Sequence, residues 1–268
     1  MKRLLMLATC IVALVLAGVA AADSAGPITF EAPTYTTGDI NGQDGWMKTN
    51  AAFDVAVADV SLFPAASGYG FGDQALRLSD AYTSGSFGDQ TFSPGLLSPA
   101  GESDARHFDA SFRIGTTLAT EQTGLSMSVS PDNGQGARMS YLRFEDHADG
   151  VDVFFADATD PGPLSTAASF SDTKIATLSR ASAHTIRFLI NFKTGPGNDD
   201  VKIFVDGKKL ITGTTWEDYY RYDPEQTGGG NVVPTVSKML FRFGGTAHPG
   251  NVGNGFLVDD LSLMSSAP

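Results

Sequence analysis

The sequence holds one cysteine in 268 residues, Cys10, inside its one long apolar run. A disulfide framework is therefore excluded, and with it the small cross-linked secreted scaffolds. Basic residues are scarce: 18 Lys and Arg stand against 30 Asp and Glu, for a formal net charge of −12. Such a surface argues against nucleic acid and anionic membranes as partners, because basic contacts dominate binding to both. No stretch carries apolar residues at helical period over a normal helix length. Zinc motifs, phosphate loops, serine-hydrolase elbows and the Asp-x-Asp-x-Asp-Gly loop of an EF-hand are missing too.

The apolar run sits at the start. Lys2 and Arg3 precede Leu4 to Val19, and Ala20-Ala21-Ala22 offers small residues for cleavage. This is the layout of an export signal, with residues 1–22 removed and 23–268 left as a single domain. The run is short for a membrane anchor, and no charged stop follows it. The expected address is secreted or periplasmic, in a bacterium, with no membrane insertion once the signal is gone. Cys10 leaves with the signal, as do Lys2 and Arg3, which takes the formal charge from −12 to −14. Stability must then come from a core alone.

What the sequence has in quantity is strand and turn chemistry. Ile186, Phe188, Ile190 and Phe192 alternate with Arg187, Asn191 and Lys193, the period-two pattern of a half-buried strand. Val201, Ile203 and Val205 repeat it after a Gly-Pro-Gly-Asn loop. Asp206-Gly207 reads as a two-residue type I′ turn, which needs positive φ at both positions. Two hairpins back to back predict an antiparallel meander. Earlier, Phe108, Ala110, Phe112 and Ile114 alternate with His107, Asp109, Ser111 and Arg113. Thr123–Ser130 and Arg138–Glu145 flank a turn-rich hairpin loop, and Phe256–Met264 closes the domain. Many short strands with turns between them mean an all-β sandwich or barrel.

Three stretches carry a resemblance. Val201 to Lys208, with its strand-Asp-Gly-strand layout, resembles the hairpin of concanavalin A-like, laminin-G-like jelly rolls. Phe30-Glu31 with Gly42-Gln43-Asp44-Gly45-Trp46, and Phe256 to Leu263, are similar to the bracketing strands of jelly-roll carbohydrate-binding modules. The implied fold is an antiparallel jelly-roll β-sandwich spanning the mature chain. In those modules a Glu of the first strand and an Asp of the last help to hold calcium. The matching positions are Glu31 and Asp259 or Asp260, so a structural Ca2+ is the expected cofactor. The alternative is that Asp259 and Asp260 flank a sheet edge, one solvated and one capping a loop or pairing with an arginine.

Two further constellations are candidates for binding. Trp216, Tyr219, Tyr220 and Tyr222 lie within seven residues, beside Glu217, Asp218, Arg221 and Asp223. Flat aromatic faces with a polar handle suit sugar rings, but the same cluster also suits a structural corner that closes the sandwich. Arg77, Arg113, Arg143, Arg187 and Arg242 each sit mid-strand between apolar neighbours. If their strands are adjacent they make a basic groove for an acidic or hydroxyl-rich glycan, since the guanidinium fork suits carboxylates. If not, they form ordinary cross-strand pairs with Asp109, Asp152 and Glu145.

Catalysis has less to stand on. Laminarinase-like members carry Glu-x-Asp-x-x-Glu on one strand, and Glu102-Ser103-Asp104-Ala105-Arg106-His107 lacks the second Glu. Alginate-lyase-like members use Arg, Gln, His and Tyr in motifs that are not intact here, though His107 with Tyr141 and Arg143 could form a lyase-like set with Tyr as acid or base. The reading is a non-catalytic module binding a glycan or cell-surface polysaccharide. Its contacts are Arg113, Tyr141, Arg143, Arg187 and Arg242, with Trp216 and Tyr219 at the rim. A polysaccharide-degrading enzyme, more lyase than hydrolase, and a structural or adhesion domain are the alternatives.

Overall fold

Alternating apolar side chains give each strand one buried face, and the computed structural model stacks two such faces. It describes residues 22–85, 89–103, 105–159, 169–223 and 235–267. The expected signal segment therefore lies outside the described residues save for Ala22, and so does the predicted loop from Gly228 to Val233. In chain order the first strands are β1 (Asp23–Ile28), β2 (Gly38–Asp39), β3 (Met47–Lys48), β4 (Val55–Asp59), β5 (Gln74–Leu78) and β6 (Gln90–Phe92). The long central ones are β7 (His107–Thr116), β8 (Ser126–Asp132), β9 (Leu142–His147), β10 (Gly150–Thr159) and β11 (Ser169–Leu178). The last are β12 (His184–Asn191), β13 (Asp200–Val205), β14 (Lys208–Gly213), β15 (Lys238–Arg242) and β16 (Phe256–Ser266).

The strands form two antiparallel sheets. One runs β14-β13-β12-β7-β16-β5-β4-β2, with β1 also on β16. The other runs β11-β10-β9-β8-β15-β6-β3. The architecture is a jelly-roll β-sandwich: the pattern predicts the sandwich, and the resemblance implies the jelly roll. The meander is there as β12-β13-β14, and Asp206 and Gly207 turn it at φ 49° and 76°. Between the sheets lie Phe108, Phe112, Phe188 and Ile190 of the first and Met127, Phe144, Phe155 and Phe241 of the second. Trp46 is buried here against Phe30 and Phe241, and its indole N–H donates to Tyr35 Oη at 3.3 Å.

Two features depart from the sequence reading. Residues 60–72 cross the outer face of the nine-stranded sheet, where Val60, Phe63, Ala66 and Tyr69 pack on Ala75 and Leu257. The aromatic-acidic stretch is not a loop but a short helix, α1 (Glu217–Tyr222). Glu217 and Asp218 stand in its first turn and Arg221 in its last, the order that complements a helix dipole. Six residues are too few to show a helical period in the sequence.

Candidate binding groove

The outer face of the seven-stranded sheet is where outward-pointing polar residues converge. Register places Arg143 (β9) opposite Ser128 (β8), Ser128 opposite Arg242 (β15) and Arg242 opposite Gln90 (β6). Strands lie about 4.8 Å apart, so the two arginines stand about 10 Å apart across β8. Tyr141, two residues before Arg143, shares its face. A cavity of about 640 Å3 is lined by Gln90, Tyr141, Arg143 and Arg242 together with Gln135, Arg138, Phe170, Asp172, Trp216 and Tyr219. A smaller one of about 210 Å3 adjoins it, sharing Tyr141, Arg143 and Arg242 and ending at Gly244 and Gly245.

The walls have separate origins. One is α1, which rests on the hairpin below it: Trp216 Nε1 donates to the Ala156 carbonyl at 3.0 Å, and the Trp216 ring stacks on Tyr141 at 5.7 Å. The second is the loop after β8, organised by fully buried Asp132, whose Oδ1 accepts from the Gly134 and Gly136 amides. Burial pushes the Asp132 carboxyl up. That loop ends on α1, because Arg138 N–H donates to Tyr220 Oη at 2.8 Å. The third is the start of β11, where Phe170 packs 4.7 Å from Trp216 and 5.2 Å from Tyr219.

Three guanidinium groups, of Arg138, Arg143 and Arg242, and one carboxylate, of Asp172, line the cavity. Burial, then the neighbouring Arg138 charge, lowers the Arg242 pKa, so two guanidinium groups repel within one cavity. Arg138 also lies 5.9 Å from the centre of the Tyr141 ring. Arg143 donates from Nε to Glu145 at 2.7 Å and from Nη1 to Asp172 at 2.5 Å, and sits 4.7 Å above the Phe154 ring.

The five arginines of the sequence reading do not share this face. Arg143 and Arg242 line the groove, while Arg113 and Arg187 are on β7 and β12 of the opposite sheet and point away from it. Arg187 pairs with Asp109, and Arg113 donates to the Tyr69 and Gly70 carbonyls and faces Asp260. Arg77, also on that sheet, is buried against Asp54. Of the ordinary pairs with Asp109, Asp152 and Glu145, Arg187–Asp109 forms on this sheet and Arg143–Glu145 in the groove, whereas Arg77 and Arg113 have other partners. His107 is likewise on β7, bonded to Asn191, so it cannot act with Tyr141 and Arg143. Tyr219 is at the rim as expected. Trp216 is only 9% exposed and serves as a prop for the wall, whereas Phe170, 47% exposed, presents the open aromatic surface. Arg138, Phe170, Gln90 and Gln135 were missed. Each stands at a strand end or in a loop, where no periodicity marks a face.

Glu31, Asp259 and Asp260 lie close together under residues 69–74. Asp259 is 2% exposed and Asp260 adopts φ 51° at a bulge. Glu31 Oε1 accepts from the Gln74 amide at 3.0 Å, and a Cβ on Gly72 would collide with that carboxylate. Burial, then the Asp260 and Glu31 charges, pushes the Asp259 carboxyl up to about 7, against the bonds it accepts from the Asp260 and Gly72 amides. Its Oδ1 is buried without a hydrogen-bond partner. Among the described residues no three His, Cys, Asp or Glu side chains are grouped as metal ligands.

Behind α1 a second acidic cluster is buried. Arg221 bridges Glu102 and Glu217, and Asp199 accepts from Lys193 N–H at 2.7 Å and Thr215 Oγ1 at 2.8 Å. Burial, then the Asp199 charge, pushes Glu217 up to about 7. Glu217 Oε1 is buried without a hydrogen-bond partner.

No protein-family model matches the chain, and no curated protein matches it significantly. Solved structures do resemble it. An endo-β-1,4-glucuronan lyase from Trichoderma reesei is 15% identical, with 86% of this chain and 94% of that one covered and a TM-score of 0.45. An alginate lyase from Pseudomonas aeruginosa is 11% identical over 70% of this chain and 82% of that one, with a TM-score of 0.42. A sialidase is 11% identical over 73% of this chain, which spans 16% of that protein's length, with a TM-score of 0.42.

Proposed function

We propose that this protein binds an acidic polysaccharide outside the cytoplasm, in the groove on the seven-stranded sheet, and that it does so without turning the polysaccharide over. One observation carries the reading. Arg138, Arg143 and Arg242 line a single open cavity with an exposed aromatic at one wall, on a chain whose formal charge is −12. Guanidinium groups bind carboxylates in paired hydrogen bonds, and aromatic faces cover the apolar side of a sugar ring. The test is a glycan array with residues 23–268, alongside Arg242→Ala. Binding to carboxylated glycans that falls about tenfold or more in the variant supports it. Absence of binding to every acidic and neutral glycan sinks it.

A lyase is the second reading, favoured by Tyr141. Its ring stands in the same cavity as Arg143, Arg242, Gln90 and Gln135. A uronate carboxylate neutralised by arginine acidifies the neighbouring C–H, and a phenol is a suitable acid or base. Appearance of an unsaturated, ultraviolet-absorbing product, lost in Tyr141→Phe, would replace the binding reading with this one.

A structural calcium ion at Glu31, Asp259 and Asp260 belongs to the proposal too. The orphaned Asp259 Oδ1 supports it, since buried charge without a partner is costly. Calcium would raise Tm in the wild type and leave Asp259→Asn unmoved. Equal melting of the wild type with calcium and with chelator discards the ion.

A further inference from the structure

The groove contains a carboxylate of its own. Asp172 lies near the start of β11, the outermost strand of the sheet, two residues after Phe170. Register sets it opposite Ala156, at the base of the aromatic wall, and its side chain is more than two-fifths exposed. From there it reaches across β10 to Arg143, with Asp172 Oδ2 2.5 Å from Nη1. Glu145 holds the same guanidinium from the other side, with Oε1 2.7 Å from Nε. The two carboxylates differ in kind. Glu145 is on the same strand as Arg143 and on the same face, so it stays with it. Asp172 comes from an edge strand with one hydrogen-bonded neighbour, beside a register shift at Val153/Phe154. Arg143 keeps Nη2 without a partner among the described residues.

This is the position that a ligand's acid would take. A carboxylate entering the cavity finds Arg143 engaged by an internal anion of the same chemistry. We infer that Asp172 is a specificity-determining residue: it occupies the Arg143 end of the groove as a stand-in for a ligand carboxylate and is displaced by one. The inference rests on the acidic-polysaccharide reading and refines it. A neutral chain cannot exchange with Asp172, so it leaves the Arg143–Asp172 pair closed and gains nothing from it. A uronate chain replaces one charged hydrogen bond with another and pays only for moving a side chain already in water. The residue thus tempers the groove's preference for carboxylated chains, lowering their affinity and leaving that of neutral chains unchanged.

Calorimetric titration with two probes, polyglucuronate and a neutral β-glucan, tests this on wild type, Asp172→Asn, Asp172→Ser, Arg143→Ala, Asp172→Asn/Arg143→Ala and Arg242→Ala. Circular dichroism and melting confirm that each variant is folded. Both Asp172 variants should bind polyglucuronate about tenfold more tightly than wild type, with no gain for the neutral glucan. That gain should vanish when Arg143 is alanine, which separates release of Arg143 from a general change in charge. Equal gains with and without Arg143, or no gain in either Asp172 variant, overturn the inference. If wild type binds and Arg242→Ala does not, while the Asp172 variants match wild type, the groove stands and the stand-in role falls. If neither wild type nor the Asp172 variants bind polyglucuronate, both fall.

Discussion

Asp259 shows what one buried carboxyl can do to the whole chain. Its folded pKa is raised to about 7 from an ordinary 3.8, so the folded state holds the proton more firmly than the unfolded state. The stabilisation is complete below the unfolded value and disappears as pH rises through the folded one. Between about pH 4 and 7 the loss is on the order of a few kcal/mol, since each pKa unit is worth about 1.4 kcal/mol. Asp259→Asn keeps an oxygen for the Gly72 and Asp260 amides and carries no charge. In chelator it should melt higher than wild type at pH 8 and match it near pH 4. A variant that melts lower than wild type at pH 8 in chelator would show that the charged carboxylate is stabilising there. The resemblance points to Glu31, Asp259 and Asp260, and these acids do lie together. What was not legible is that residues 69–74 close over Glu31 and Asp259, because nothing in Tyr69 to Gln74 names the sheet face it crosses.

At the scale of elements, α1 decides the shape of the groove, because Trp216, Tyr219 and Tyr220 form one of its walls. The helix is fastened from behind by Arg221 between Glu102 and Glu217, with Asp199 and Asp218 adding negative charge around Glu217. Glu217 is raised from 4.5 to about 7, so its contribution is also greatest at low pH and fades as pH climbs toward 7. Above that point more negative charge than Arg221 can offset is buried under the wall. Glycan affinity is therefore expected to decline between pH 5 and pH 8, and Glu217→Gln should flatten that decline. Binding isotherms across this range, with tryptophan fluorescence following Trp216, measure both. Identical profiles for wild type and Glu217→Gln would remove the helix from any role in pH response. The aromatic stretch was visible in the sequence as a cluster, and its structural use, closing a corner, was one of the two readings open to it. That it was helical was not visible: one and a half turns carry no period, and the i,i+4 pair of Glu217 and Arg221 only makes sense once the acids from Glu102 and Asp199 are in place.

For the molecule as a whole, the sandwich explains both the success of the sequence reading and its chief error. Period-two alternation tells which side of a strand faces the core, and Phe108, Phe112, Ile186 and Phe188 were placed correctly on that ground. It does not tell which sheet a strand joins. Outward arginines on β7 and β12 therefore read the same as those on β9 and β15, although they lie on opposite faces of the protein. Pairing of β8 with β15 joins residues about a hundred apart, and only topology supplies that. The resulting charge distribution has a consequence for binding. A basic groove on a protein of formal charge −12 attracts a polyanion at short range and repels it at long range. The screening length is about 30 Å at 10 mM salt and about 8 Å at 150 mM. Added salt over this interval should weaken the repulsion more than the partly buried contacts to Arg138, Arg143 and Arg242. Association with polyglucuronate is therefore expected to become faster from 10 mM to 150 mM salt, and to weaken only at higher ionic strength. Stopped-flow rates across the series check this. A rate falling steadily from the lowest salt would mean that net attraction steers the polymer, and that the acidic surface, rather than the groove, has been misjudged as its surroundings.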